Sequence, residues 1–316
     1  MSKVIKGPRW EIEKNSSRYP KSLLDLRNPP EKLYLIGDYR VLQNGLSIIG
    51  ARKATPYGLS CAELFGREAA LHEIVVVSGG ALGCDSSAHR GALKAGGKTV
   101  VVLGGGCDQP YPAGNRALFQ EVVDSGGALI SEYPWDFRAK PYCFRMRNRL
   151  IAALSKAVLI VEAGLPSGTF STADEALAIN REVLVVPGSI MSDSSAGSNQ
   201  LLYQGATPIV SRESFEDALV AIFNCLRFAS SKRSRSKDSE KKREKVTNPF
   251  LEAILANPMR IEEILSLEEI GDAKQDMKKA SEAEKLNEVI WRVSMLEQEG
   301  YITRYPDGRY GPVVKF

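Results

Sequence analysis

The stretch from Phe137 to Arg149 holds five cations (Arg138, Lys140, Arg145, Arg147, Arg149), three aromatic rings (Phe137, Tyr142, Phe144) and no acid. Cations interleaved with rings suit a single nucleic-acid strand, because guanidinium and ammonium groups meet phosphates while the rings stack on unpaired bases. Five phosphate contacts predict a salt slope near about −3.5, roughly a hundredfold loss of affinity between about 50 and 200 mM salt. The competing reading packs the three rings into a core and pairs the arginines with Glu132, Glu162 or Asp174, a common fate of arginine. Helical spacing over 145–155 puts Arg145 and Arg149 four apart on one face, with Asn148 between them.

A second kind of chemistry is suggested by glycine. Ser78-Gly79-Gly80-Ala81-Leu82-Gly83 follows an apolar run and precedes a helical pattern, so Gly79, Gly80 and Gly83 bring backbone N–H groups and a helix start to one point, as in an anion cradle. The bland alternative is that the glycines serve tight turns. Ser167-Gly168-Thr169 repeats the arrangement, and Arg52 and Lys53 follow a strand at the same expected edge. The spacing is not that of a dinucleotide fingerprint, and no acid stands where a ribose would need one, so no cofactor is predicted. Asp85, Ser86, Ser87 and His89 could be assembled into a nucleophile and base on paper. An N-cap role for Asp85 or Ser86, with His89 as the hydrogen-bonded neighbour of Asp85, fits them better. No catalytic residue is assigned. Five widely spaced cysteines and two histidines predict neither a disulfide framework nor a metal site.

These residues need elements to position them. Apolar β-rich runs at 33–36, 47–49, 74–78, 99–103, 128–131, 157–161, 182–186 and 208–210 alternate with helical patterns at 57–72, 86–95, 114–124, 145–155 and 169–180. That alternation predicts a doubly wound, Rossmann-like α/β sheet, mostly parallel, whose carboxyl edge carries the glycine loops. A further helix is expected over 214–228.

Charge divides the rest. The net charge is +4, split as 25 Lys and Arg against 22 Asp and Glu up to residue 230, 8 against 3 over 231–246, and 9 against 13 beyond. The expected organisation is an N-terminal extension (1–46) leading into the sheet, a Rossmann-like DNA-binding domain (47–229), a basic disordered linker (230–248) and a small winged-helix-like domain (249–316) closed by a hairpin over 301–313. The acidic balance of that last domain favours a protein contact over a DNA groove. With no apolar signal core and no membrane-length apolar window, the chain reads as cytoplasmic.

Ile48-Ile49-Gly50-Ala51-Arg52-Lys53, the run 78–90, Tyr111-Pro112, Ser131-Glu132-Tyr133-Pro134, Phe144-Arg145-Met146-Arg147-Asn148-Arg149 and Ser167-Gly168-Thr169 resemble, in order, motifs of the DNA-processing protein A (DprA, or Smf) family. The resemblance spans about residues 19–210, and more loosely the tail. It implies a homodimer that binds incoming single-stranded DNA in natural transformation, protects it and assists loading of the RecA recombinase, without a catalytic step. By motif, Arg52, Lys140, Phe144, Arg147, Asn148 and Arg149 would contact DNA, with the loops at 79–83 and 167–169 lining the pocket. Leu82 stands where the family often has a cation and Cys84 where it has Ile or Val. The family's N-terminal helical domain has no counterpart, and 271–285 is a charged insertion. Two rivals are a nucleoside-monophosphate phosphoribohydrolase, which would need an acid where Thr172 stands unless Glu175 substitutes, and an adaptor acting through RecA contacts.

Overall fold

The computed structural model describes residues 4–225, 251, 253–254, 259–270, 282–298, 301–305 and 308–312. The expected linker and most of the 271–285 insertion lie outside them. The chain divides into two compact units, Met1–Ala229 and Ser230–Phe316.

In the first unit, nine strands form one sheet: β1 (Arg9–Glu13), β2 (Lys32–Gly37), β3 (Gly45–Ile49), β4 (Val76–Ser78), β5 (Thr99–Val102), β6 (Ala128–Ser131), β7 (Ser155–Ile160), β8 (Glu182–Val185) and β9 (Thr207–Pro208), in the order β1-β2-β6-β5-β4-β3-β7-β8-β9. β3 to β9 run parallel, and the two antiparallel pairs, β1–β2 and β2–β6, lie toward one edge. Residues 1–46 therefore do more than lead into the sheet, since they supply two of its strands.

Among the described residues eight α-helices accompany the sheet: α1 (Pro56–Leu71), α2 (Cys84–Lys94), α3 (Arg116–Asp124), α4 (Pro141–Met146), α5 (Asn148–Ala153), α6 (Thr169–Ala178), α7 (Ala196–Tyr203) and α8 (Arg212–Phe223). Strand side chains alternate between two cores, as a period of two requires. Val158 and Ile160 of β7 pack with α5 and α6, while Ala157 and Leu159 pack with α1, α2 and α8. Local chemistry sets the helix starts. Thr55 accepts a hydrogen bond from the Gly58 N–H ahead of Pro56, and a reciprocal Ser211–Ser214 capping box opens α8.

Three expectations are corrected. The helix expected over 145–155 is two short helices with Arg147 at the break, so Arg145 and Arg149 do not share a face. The first strand expected is at 33–36, yet β1 precedes it, its Arg9, Glu11 and Glu13 alternating with Trp10 and Ile12 in the charged pattern of a protected edge strand. No helix is expected between 180 and 214, yet α7 forms there although Gly197, Ser198 and Asn199, poor helix formers, dominate its start.

The second unit contains α9 (Ile261–Ile270), α10 (Glu282–Gln298) and an antiparallel pair, β10 (Ile302–Arg304) with β11 (Tyr310–Pro312), around Ile254, Ile264, Val289, Val293 and Ile302. Among the described residues no helix is long and apolar enough to cross a membrane.

Leu33, fully buried in β2, tests whether the N-terminal strands belong to the cooperative unit. Leu33→Ala is expected to lower the unfolding free energy by about 2–5 kcal/mol in urea titration; an unmoved midpoint would show the segment to be an appendage.

Candidate nucleic-acid interface

β3 feeds α1 on one face of the sheet and the adjacent β7 feeds α6 on the other, so a crevice opens beyond their carboxyl ends, the usual ligand position in an open α/β sheet. A cleft of about 680 Å³ occupies it. One wall is Gly50, Ala51 and Arg52; the second is Phe144 and Arg145 of α4 with Asn148 of α5; the third is Ser167, Gly168 and Thr169 at the start of α6.

The predicted cations fall into two groups. Arg52 and Arg145 line the cleft and are exposed, and Lys140, also exposed, stands at the N-cap of α4, next in sequence to cleft-lining Pro141 but not itself in the lining. Lys53 is exposed but does not line the cleft. Among the described residues none of these four forms an ion pair. Arg149 turns away from the cleft, and Arg147, although it is part of the cleft lining, is almost wholly buried. Arg149 meets Glu132 Oε2 at 2.6 Å, one of the acids named by the competing reading, and lies outside the cleft wall. Arg147 is 5% exposed and donates from Nη1 to the Val102 carbonyl. Burial pulls its guanidinium down to about 10, against the nearby charge of Asp85, so it stays protonated at neutral pH.

The glycine loop serves that buried arginine. A Cβ on Gly79 would lie 2.0 Å from Arg147 Nη1, so only glycine leaves room for the guanidinium. Gly80 and Gly83 take left-handed backbone (φ 66° and 83°), with a Cβ colliding with Val101 and Phe119 at the first and with the carbonyls of Ala51 and Arg52 at the second. None of the three glycines lines the cleft. The N–H groups expected to cradle an external anion are turned to Asp85: Ala81 N–H donates to its Oδ2 at 3.2 Å, and those of Gly50 and Gly79 bear on the same carboxylate. Burial raises the Asp85 carboxyl above its ordinary range, opposed first by Arg147 and then by these donors. The cradle is filled by the chain's own carboxylate, a partner that glycine spacing alone does not disclose.

The α6 turn is the better-placed anion seat. Thr169 opens the helix, Ser167 Oγ lies 2.7 Å from Thr169 Oγ1, and Asn148 Nδ2 donates to Ser171 Oγ at 2.7 Å, tying α5 to this turn. Ser171, Thr172 and Asp174 also line the cleft. From sequence, Asp174 is named only as an arginine partner and Thr172 only in the phosphoribohydrolase rival, while Ser171, whose place in the first turn of α6 was the available signal, is not named. Phe144 is half-buried, with the Arg52 guanidinium carbon 5.7 Å from its ring centroid and the Tyr111 ring at 5.3 Å.

The paper nucleophile and base do not meet. Gly83, not Asp85 or Ser86, occupies the N-cap of α2. Ser86 Oγ donates to the Ala81 carbonyl and accepts from Asn115 Nδ2. His89 Nδ1 lies 2.6 Å from Thr99 Oγ1, whose own proton goes to the Val76 carbonyl, so Nδ1 carries the hydrogen and buried Nε2 has no partner. Burial lowers His89 to about 3.

Two outcomes follow. A native His89 near 3 against 6.5 when unfolded means that the unfolded chain binds one more proton within that window. Stability from this group is complete above 6.5 and lost as pH falls toward about 3. Urea titrations should show a pH slope up to about 1.4 kcal/mol per unit steeper in the natural protein than in His89→Gln. Gly79→Ala, which evicts the Arg147 guanidinium, should cost about 1–3 kcal/mol in the same assay.

The family profile described as DNA recombination-mediator protein A matches residues 11–220. The chain is 33% identical to protein Smf of Escherichia coli K12 over 300 residues, covering 94% of this chain and 76% of that protein. It is 44% identical over 180 residues to a DNA processing protein DprA of Mycobacterium tuberculosis, covering 56% of this chain and 46% of that protein, so it spans about half the length of that relative. DNA processing protein A of Helicobacter pylori, whose solved structure concerns its single-stranded DNA binding mode, superposes with a TM-score of 0.62 at 33% identity, covering 69% of this chain and 98% of that one. The chain therefore belongs to the DNA recombination-mediator protein A family, whose named members include the DprA and Smf proteins.

Proposed function

We propose that the cleft at the β3–β7 crevice binds single-stranded DNA and does no chemistry on it. The carrying observation is the distribution of charge around the cleft. Arg52 and Arg145 line it, without an ion pair among the described residues, beside a half-buried ring and the start of α6, and Lys140 is exposed at the N-cap of α4. Arg147 is buried in the lining and Arg149 is paired with Glu132, while the wall also carries buried Asp85 and exposed Asp174. Unpaired guanidinium groups are suited to phosphate, and the N–H groups that begin α6 add donors for a second phosphate oxygen. A phosphoribohydrolase is less well supported, since Thr172, which lines the cleft at the expected acid position, carries no carboxyl and Glu175 is not in the cleft wall.

Protection of incoming DNA, assistance to RecA loading, a homodimer and a cytoplasmic setting complete the proposal and rest on the family. The α9–α10 pair with its hairpin is consistent with a winged-helix-like domain, and its acidic balance supports a protein contact there.

Three phosphate-bound cations instead of five give a salt slope of about −2, roughly a twentyfold loss of affinity for oligo-dT between about 50 and 200 mM salt. Arg52→Glu, or Lys140→Glu with Phe144→Ala, should abolish binding in a fixed-salt anisotropy titration while leaving the thermal midpoint unchanged. Unchanged affinity in both variants would contradict the assignment.

A further inference from the structure

Phe144 is poorly placed to be the only stacking surface of the site. Arg52 covers its ring at 5.7 Å, Tyr111 leans on it at 5.3 Å with the ring planes 56° apart, and a Cβ on Gly104 would fall 2.9 Å from its Cδ1. The free aromatic face next to it belongs to Tyr111, which is 56% exposed and lies outside the cleft wall. Tyr111 sits in the loop after β5, two strands from β3 in the sheet, a lateral step on the order of 10 Å.

An exposed ring is a useful platform only if its backbone is already ordered, because ordering it on binding would consume the stacking energy. This loop is pinned along its length. Gly106 N–H donates to the Phe137 carbonyl and Asp108 N–H to the Trp135 carbonyl, both at 2.8 Å, and Asp108 also pairs with Arg9. Beyond Tyr111, Asn115 Nδ2 donates to the Gly80 carbonyl at 2.9 Å and to Ser86 Oγ at 2.8 Å. No ion pair or core position accounts for leaving a tyrosine ring open there.

We propose that Tyr111 is a second base-stacking platform, with Phe144 as its backing, and that the bound strand continues from the cleft along the carboxyl rim toward the loop after β5. This deepens the single-strand reading and rests on it. The strand would leave the cleft past Phe144, and the next unpaired base would lie on the outer face of Tyr111.

The test uses the full chain, oligo-dT of three and of twelve nucleotides, and four proteins: natural, Tyr111→Ala, Tyr111→Trp and Arg52→Glu. Tyr111→Ala is expected to weaken the twelve-nucleotide strand about tenfold, the loss of one stack, to leave the three-nucleotide strand within twofold, and to keep the thermal midpoint. Tyr111→Trp should restore affinity, with more indole quenching on the long strand than in the natural protein. If Tyr111→Ala leaves the long strand within twofold while Arg52→Glu abolishes binding, the cleft stands and the Tyr111 platform is wrong. Equal weakening of both strands, or added indole fluorescence unmoved by DNA, also overturns it. If Arg52→Glu binds normally, the cleft itself is wrong.

Discussion

Arg147 gives up nearly all its water to put a guanidinium beneath Gly79 and against the Val102 carbonyl, within the field of Asp85. Burying such a charge costs several kcal/mol unless hydrogen bonds and an opposite charge offset it. The offset here comes from several strands at once: the Val102 carbonyl ends β5, Gly79 follows β4, and Asp85 draws on the N–H of Gly50 beyond β3. One side chain, set at the break between α4 and α5, thereby ties the segment after β6 to the carboxyl ends of three neighbouring strands. The tie helps to hold the wall carrying Phe144 and Arg145, together with the Arg149–Glu132 pair and the Asn148–Ser171 hydrogen bond.

The tie also sorts the rim's positive charge. Charge neutralised inside the protein cannot release counterions from a nucleic acid, so Arg149, paired with Glu132, contributes rigidity, Arg147 is a buried charge held at the cleft, and exposed Arg52, Arg145 and Lys140 contribute attraction. A site built in this way is pre-organised, because its free cations and rings are mounted on backbone held by buried hydrogen bonds. The helix start at Ser167-Gly168-Thr169, joined to α5 through Asn148 and Ser171, extends the same frame across the crevice.

Much of this was legible in the residues. Buried parallel strands such as Thr99–Val102 announce themselves as β-branched runs, and the order of glycine turns locates the ligand edge. What escaped prediction shares a physical cause: local pattern does not reveal which long-range partner a polar group will choose. Arg145, Arg147 and Arg149 are alike in sequence, yet one faces solvent, one is sealed under a glycine and one meets Glu132, because a helix break at 147 turns them apart. The 79–83 loop was correctly placed at the carboxyl edge, but its donors serve Asp85, a partner inside the chain. His89 pairs with Thr99 on β5 and not with Asp85 one turn away, a contact that exists only once α2 is laid on the sheet.

The most direct measurement of the central claim is amide hydrogen exchange of the full chain with and without oligo-dT, read peptide by peptide. The account predicts slowed exchange in residues 50–53, 140–149 and 167–171, and no change in β1 at the opposite edge. Protection confined to other segments, with those three unaltered at saturating DNA, would contradict it.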